Sequence, residues 1–141
     1  MNDVIYEGTI DQDGHHVDVI ADGKRQRLKP RNDLVNHSPD GFCWGYSGSG
    51  PAQLALGLLA YHLKRYPEDV AVAWLIVGSP DGESLSDGLA ILLHQRFKLA
   101  WVAERDQKKG FRVTDGDVRC ILREMAGLEQ APQQGLPGVV P

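Results

Sequence analysis

Hydrophobic and polar positions change their period several times along the chain, and each change marks an element. Val4 to Ile10 and His16 to Ile20 are rich in strand formers and are separated by Asp11-Gln12-Asp13-Gly14, which reads as two strands joined by a turn. Asp22-Gly23 is a second tight-turn signal, and Lys24 to Leu28 can follow it as a short third strand. Pro30 ends this meander, and Arg31 to Asp40 has the Asn, Asp, Ser and Pro content of an irregular connection.

From Pro51 to Leu63 the residues Leu54, Leu58 and Tyr61, flanked by Ala55, Leu59 and Leu63, recur at helical spacing with one broad apolar face. Gly50 as N-cap would place Pro51 at the first helical position and let Gln53 reach back to the cap. Tyr66-Pro67-Glu68-Asp69 breaks the helix. Val70 to Val77 follows without a period, and its β-branched content and length slightly favour a strand over a buried helix. Ser79 to Ser84 is a loop by composition. A second long helix is expected from Ser86 to about Arg105, on a stripe of Leu89, Leu92, Leu93, Phe97, Trp101 and Val102. Phe111 to Val113 is a candidate strand, and Thr114 with Asp117 starts a shorter helix to about Met125 through a relative of the capping box.

The fold class that follows is α+β: an N-terminal antiparallel β-meander packed against two long helices and a shorter C-terminal helix. Residues 1–128 are expected as a single globular domain, and 129–141, with its prolines and glycines, as a flexible tail.

Composition narrows the class. A hydrophobic content of 42% and a charged content of 24% are ordinary for a globular chain. The longest apolar run, Val70 to Val77, is far below the ~20 residues that span a bilayer, and no signal segment opens the sequence, so a cytoplasmic location without membrane contact is expected. The net charge of −4 argues against a protein that coats phosphate backbones. Cys43 and Cys120 have no ligand partners at metal spacing, so reduced, largely buried thiols are expected, with no metal and no cofactor.

Candidate chemistry concentrates in Gly41 to Leu59. The phosphate-loop pattern fails because Gly50 is followed by Pro51-Ala52 rather than Lys-Ser/Thr, and the dinucleotide fingerprint fails on glycine spacing. A nucleophile elbow fails because Gly45-Tyr46-Ser47-Gly48-Ser49 ends in Ser. Phe42, Trp44 and Tyr46 alternate, which suggests a short extended segment with three rings on one face, while Gly45 and Gly48 suggest close backbone approach. Core packing competes with contact-surface use for these rings. His15 and His16 point to opposite faces of a strand, and His62 and His94 sit beside apolar helix stripes, where satisfied histidines are usual. Lys24, Arg25, Arg27, Lys29 and Arg31 form a basic run that is either a solvated edge or an anion contact.

Asn36-His37-Ser38-Pro39, Gly41-Phe42, Trp44-Gly45-Tyr46 and Gly48 to Leu56 together resemble the signature of a family of small, uncharacterised bacterial proteins. Gln95-Arg96-Phe97-Lys98 is similar to a further element of it. The likeness covers roughly residues 3 to 65 and 86 to 122, with an apparent insertion around Tyr66 to Leu85. The resemblance implies no reaction, cofactor or catalytic residue. It implies an accessory role on plasmids or phages, counter-defence included, exercised through protein binding.

The leading expectation is a non-enzymatic interaction module that binds a protein partner through Arg31, Asn36, His37, Trp44, Tyr46 and Ser49. Two alternatives compete with it. One is a small-molecule or nucleotide-binding enzyme using His37 and Ser49 around an anion held by the Gly48 to Gly50 backbone. The other is nucleic-acid binding through Lys24 to Arg31.

Overall fold

The computed structural model describes residues 3–39, 41–78 and 85–128. Three strands open the chain: β1 (Ile5–Asp11), β2 (Gly14–Ala21) and β3 (Lys24–Arg27). Asp13 N–H donates to Asp11 Oδ1 (2.8 Å) in the first turn. In the second, Asp22 and Gly23 both take positive φ (55° and 77°), the mirror-image turn whose twist suits a two-residue hairpin. A fourth strand, β4 (Phe111–Thr114), returns to pair antiparallel with β1, so the sheet order is β3-β2-β1-β4. The sheet is antiparallel throughout.

Alternation decides its two faces. Tyr6 lies opposite Val19 and Val113, and Gly8 opposite Val17, all turned to the core. Glu7, Asp18, Arg25 and Arg112 lie on the other face, where Arg25 bridges Glu7 (2.8 Å) and Asp18 (2.9 Å). Four helices build the rest of the domain on the core side of the sheet: α1 (Ser49–Arg65), α2 (Glu68–Val77), α3 (Leu85–Ala100) and α4 (Asp115–Met125). The architecture is α+β, as the sequence predicts.

Helix α1 is the centre of the fold. Thirteen of its 17 residues are buried, more than one broad face, because α3 covers the side turned away from the sheet. Its start differs from the expectation: Gly48, not Gly50, is the N-cap, and no side chain caps it. Gln53, released from that role, holds the 30–38 connection instead.

Residues 70–77 are helical, not a strand. Glu68 and Asp69 supply negative charge to the first turn, which no side chain caps, and Gly78 (φ 85°) closes the last by donating its N–H to Trp74 O. Asp69 and Ala73 are buried one turn apart, and burial along that face outweighs the β propensity of Val70, Val72 and Val77. Helix α3 also stops short of Arg105. The chain breaks at Trp101 into a 3₁₀ turn over Val102–Glu104. Helix α4 starts as expected, with Thr114 Oγ1 accepting from Asp117 N–H (3.1 Å) and the Asp117 carboxylate accepting from Thr114 N–H (3.0 Å). The expected loop at Ser79 to Ser84 and the tail at 129–141 lie outside the described residues.

One buried polar chain ties the layers together. His62 Nε2–H donates to Asp69 Oδ2 (2.7 Å), which leaves Nδ1 to accept from the Tyr6 hydroxyl (3.0 Å). Arg119 Nε completes it by donating to Asp69 Oδ1 (2.9 Å). Burial works against the Asp69 carboxylate, but the hydrogen bonds from His62 and Arg119 outweigh it and hold its pKa below the usual range. Each member has its partners, so the chain reads as a strut joining β1, α1, α2 and α4.

Candidate binding trough

Arg31 is the hinge of the connection between β3 and α1. It takes a left-handed conformation (φ 59°), unusual for a long side chain. Its guanidinium bonds Asp33 (3.0 Å) and reaches α3 to meet Asp87 (3.1 Å), so the strained backbone is held by two carboxylates. These partners hold the Asp33 carboxyl below, and the Arg31 guanidinium above, their ordinary values.

Gln53 fixes the rest of the connection from inside. Its Oε1 accepts from His37 N–H (2.8 Å) and Ser38 N–H (3.0 Å), and its Nε2 donates to Pro30 O (2.7 Å) and Val35 O (3.0 Å). One fully buried amide therefore satisfies four backbone groups of a connection that has no ladder of its own. Asn32 adds a bond to Asn36 Oδ1 (2.9 Å) at the surface. His37 then meets His94 of α3, Nε2 to Nε2 at 2.8 Å, while His94 Nδ1–H donates to Ile91 O (2.7 Å). That second bond fixes the tautomer: His94 Nε2 is the acceptor and His37 the donor. Burial, with His37 and Lys98 nearby, keeps the His94 imidazole below the ordinary histidine range, against the opposing pull of the Ile91 carbonyl.

The aromatic surface expected at 42–46 does not form. Trp44 is fully buried, its Nε1–H donating to Lys109 O (2.8 Å), and its ring lies edge-on between His15 and Phe111. Tyr46 is exposed and Phe42 half-buried, so the three rings share no face. Gly45 between them takes φ 90°, which breaks the alternation, and a Cβ there would stand 2.5 Å from the Gln107 backbone nitrogen. The close approach inferred from that glycine is real, but the chain's own 105–110 segment makes it. Ser49 is exposed, and among the described residues no hydrogen bond joins it to His37. Of the six expected surface residues, Arg31, Asn36 and His37 share one connection, Tyr46 and Ser49 lie at the start of α1, and Trp44 belongs to the core. Among the described residues no cluster of three metal-ligating side chains occurs. Cys43 and Cys120 are half-buried and form no disulfide among the described residues.

Three residues of the basic run, in contrast, line an open trough of about 900 Å³. Sheet and helix diverge at β3, so Val19, Leu28 and Ala60 make an apolar floor between them. Lys29 and Pro30 cross α1 at Gly57, where any Cβ would meet Lys29 O at 2.6 Å, and this crossing closes one end. Arg27, Lys29 and Arg31 come from the run, and α1 adds Lys64, Arg65 and the half-buried Tyr61. Sequence spacing gave no sign that these α1 residues stand with the run. The register of helix against sheet could only come from packing.

The cations differ in availability. Arg27 pairs with Asp18 (3.1 Å), Arg31 with Asp33 and Asp87, and Arg65 with Asp22 (3.0 Å). Lys29 and Lys64 are exposed, and neither forms an ion pair among the described residues.

Fold and trough together define an α+β protein with a charged concavity between its edge strand and its central helix. Residues 6–74 match the profile of a family of unknown function, DUF6166, to which this chain is therefore similar over β1 to α2. That segment carries every residue lining the trough, whereas α3, β4 and α4 lie beyond it. Comparison with curated proteins and with solved structures finds no match. Among the described residues no helix is long and apolar enough to cross a membrane.

Proposed function

We propose that this protein is a non-enzymatic interaction module and that its binding face for a protein partner is the trough between β3 and α1. The carrying observation is the pair of lysines, Lys29 and Lys64, without an ion pair among the described residues, beside the half-buried Pro30 and Tyr61 in a trough floored by the core residues Val19, Leu28 and Ala60. That combination suits a segment carrying both carboxylates and apolar side chains. A nucleic-acid strand fits it less well. Asp33 lines the trough beside Arg31, and Asp22 pairs with the lining Arg65, so both would face a continuous phosphate backbone with like charge. An accessory role for a mobile element, counter-defence included, would be exercised through such a captured protein.

The test is selection of a displayed random-peptide library on the full chain and on the double variant Lys29→Glu/Lys64→Glu. Acid-rich peptides with interspersed apolar residues should be enriched on the first and lost on the second. Enrichment without charge bias, or unaltered by the reversal, rejects the trough. Retardation of single-stranded oligonucleotides with a steep salt dependence, in the absence of any enriched peptide, replaces the partner by a nucleic acid.

A further inference from the structure

The trough is bounded by a sheet edge that is open. Leu28 N–H donates to Val17 O (2.9 Å), and the register pairs Gln26 with Val19 and Lys24 with Ala21. In an antiparallel ladder both backbone groups of a residue point to the same side and alternate along the strand. Residues 24, 26 and 28 therefore turn their N–H and C=O groups toward β2, and Arg25 and Arg27 turn theirs away from the sheet. Since β3 is the terminal strand of the order β3-β2-β1-β4, no other strand of the sheet takes them up.

We infer that the partner segment binds in extended form as a fifth strand along β3, and that it carries acidic residues on both of its faces. This rests on the trough being the binding face. Strand addition is a recurrent mode of peptide capture, in which main-chain bonds supply affinity and flanking side chains supply specificity. The specificity here is electrostatic. Side chains of the added strand that point to the helix layer enter the trough toward Lys29 and Lys64. Those that point the other way lie beside Arg25 and Arg27, whose side chains keep 51% and 63% of their surface exposed despite their carboxylate partners. A second copy of this chain is a poor occupant, because pairing β3 with β3 would set Lys24, Arg25 and Arg27 against their own kind.

The experiment uses a peptide enriched in the selection above, labelled and titrated against the full chain, Arg25→Ala and Arg25→Pro. Alanine removes the guanidinium and keeps the outward N–H. Proline removes that N–H as well, without touching a bond to β2, a position where edge strands tolerate it. Binding to Arg25→Pro should be about tenfold weaker than to Arg25→Ala, the scale of a lost main-chain bond or two. A parallel scan places N-methyl groups along the peptide and needs no protein variant: alternate positions should abolish binding and the intervening ones leave it intact. Equal affinity for the two variants together with an N-methyl scan lacking alternation overturns strand addition. If Arg25→Pro fails to fold, the scan alone decides. Either result against strand addition leaves the trough standing so long as Lys29→Glu/Lys64→Glu still loses the peptide, so failure of one reading is distinguishable from failure of the other.

Discussion

Replacing Gln53 by leucine should cost more stability than any other single polar-to-apolar exchange in the 30–53 region. The two side chains are close in size, so the exchange leaves packing of α1 nearly unchanged and removes only the amide. Four hydrogen bonds disappear, to His37 N, Ser38 N, Pro30 O and Val35 O, at a site with no exposed surface. Net hydrogen bonds contribute about 1 kcal/mol each, and buried groups left without partners cost more than that. Partial rehydration of a connection that lies at the surface works in the other direction. The expected loss is about 4 kcal/mol, a large part of the 5–15 kcal/mol, roughly, that holds a domain of this size. Urea titration followed by tryptophan fluorescence reads it directly, with an unchanged slope showing that the unfolded state is the same. Gln53→Glu should lose as much at neutral pH, because a carboxylate has nothing to donate to Pro30 O and Val35 O, and should recover part of it in acid as the group protonates. A loss below about 1 kcal/mol for Gln53→Leu would refute the reasoning, since it would mean the four bonds are replaced by water at no cost.

Two further outcomes follow from the same geometry. The His94 pKa is depressed in the folded protein, so the stability tied to its neutral form is complete above the ordinary histidine value of 6.5 and is lost as pH falls through the lowered folded value; protonated His94 would also set a second N–H against His37, with Lys98 the nearby cation adding to the strain. His94→Gln should flatten the change in urea midpoint between neutral and mildly acid pH, and an unaltered slope with pH would assign that change elsewhere. Trp44→Ala should cost roughly 3–5 kcal/mol from the lost ring and its bond to Lys109 O, whereas Tyr46→Ala should cost under about 1 kcal/mol; equal effects in thermal unfolding would contradict the burial difference between them.

Periodicity was most informative where one element decides its own fate. The Asp22-Gly23 hairpin and the Thr114-Asp117 capping box depend on residues within a few positions of each other, and both form as the sequence implies. Val70 to Val77 did not follow its β propensity, because what settles it is Asp69, held by His62 and Arg119 from distant parts of the chain. The ring cluster misled for a related reason. Alternation of Phe42, Trp44 and Tyr46 implies one face only if the backbone stays extended, and Gly45 turns it. Gln53 reads equally well as a capping residue, and only the folded loop shows four backbone groups converging on it. The candidate site was half legible: the basic run from Lys24 to Arg31 is plain in sequence, but its partners Tyr61, Lys64 and Arg65 come from a helix turn that meets it only after packing.

A basic edge strand has a plain structural use, since charge on an edge discourages other strands from adding to it. That use accounts for Lys24, Arg25 and Arg27, and it would account for the trough if the cations stopped there. They do not. Lys64 projects from α1 and Lys29 from the crossing over Gly57, neither on the strand, and protection of the edge would gain little from either. The pairing pattern separates the two uses further. Arginines on or next to the sheet are neutralised by Asp18, Asp22 and Asp33, as a protected surface in a chain of net charge −4 would arrange them, whereas the two lysines over the trough have no counter-charge among the described residues. An acidic partner segment would supply the missing counter-charge in the trough, while Arg25 and Arg27, which keep 51% and 63% of their side-chain surface exposed beside their carboxylates, would meet its other face.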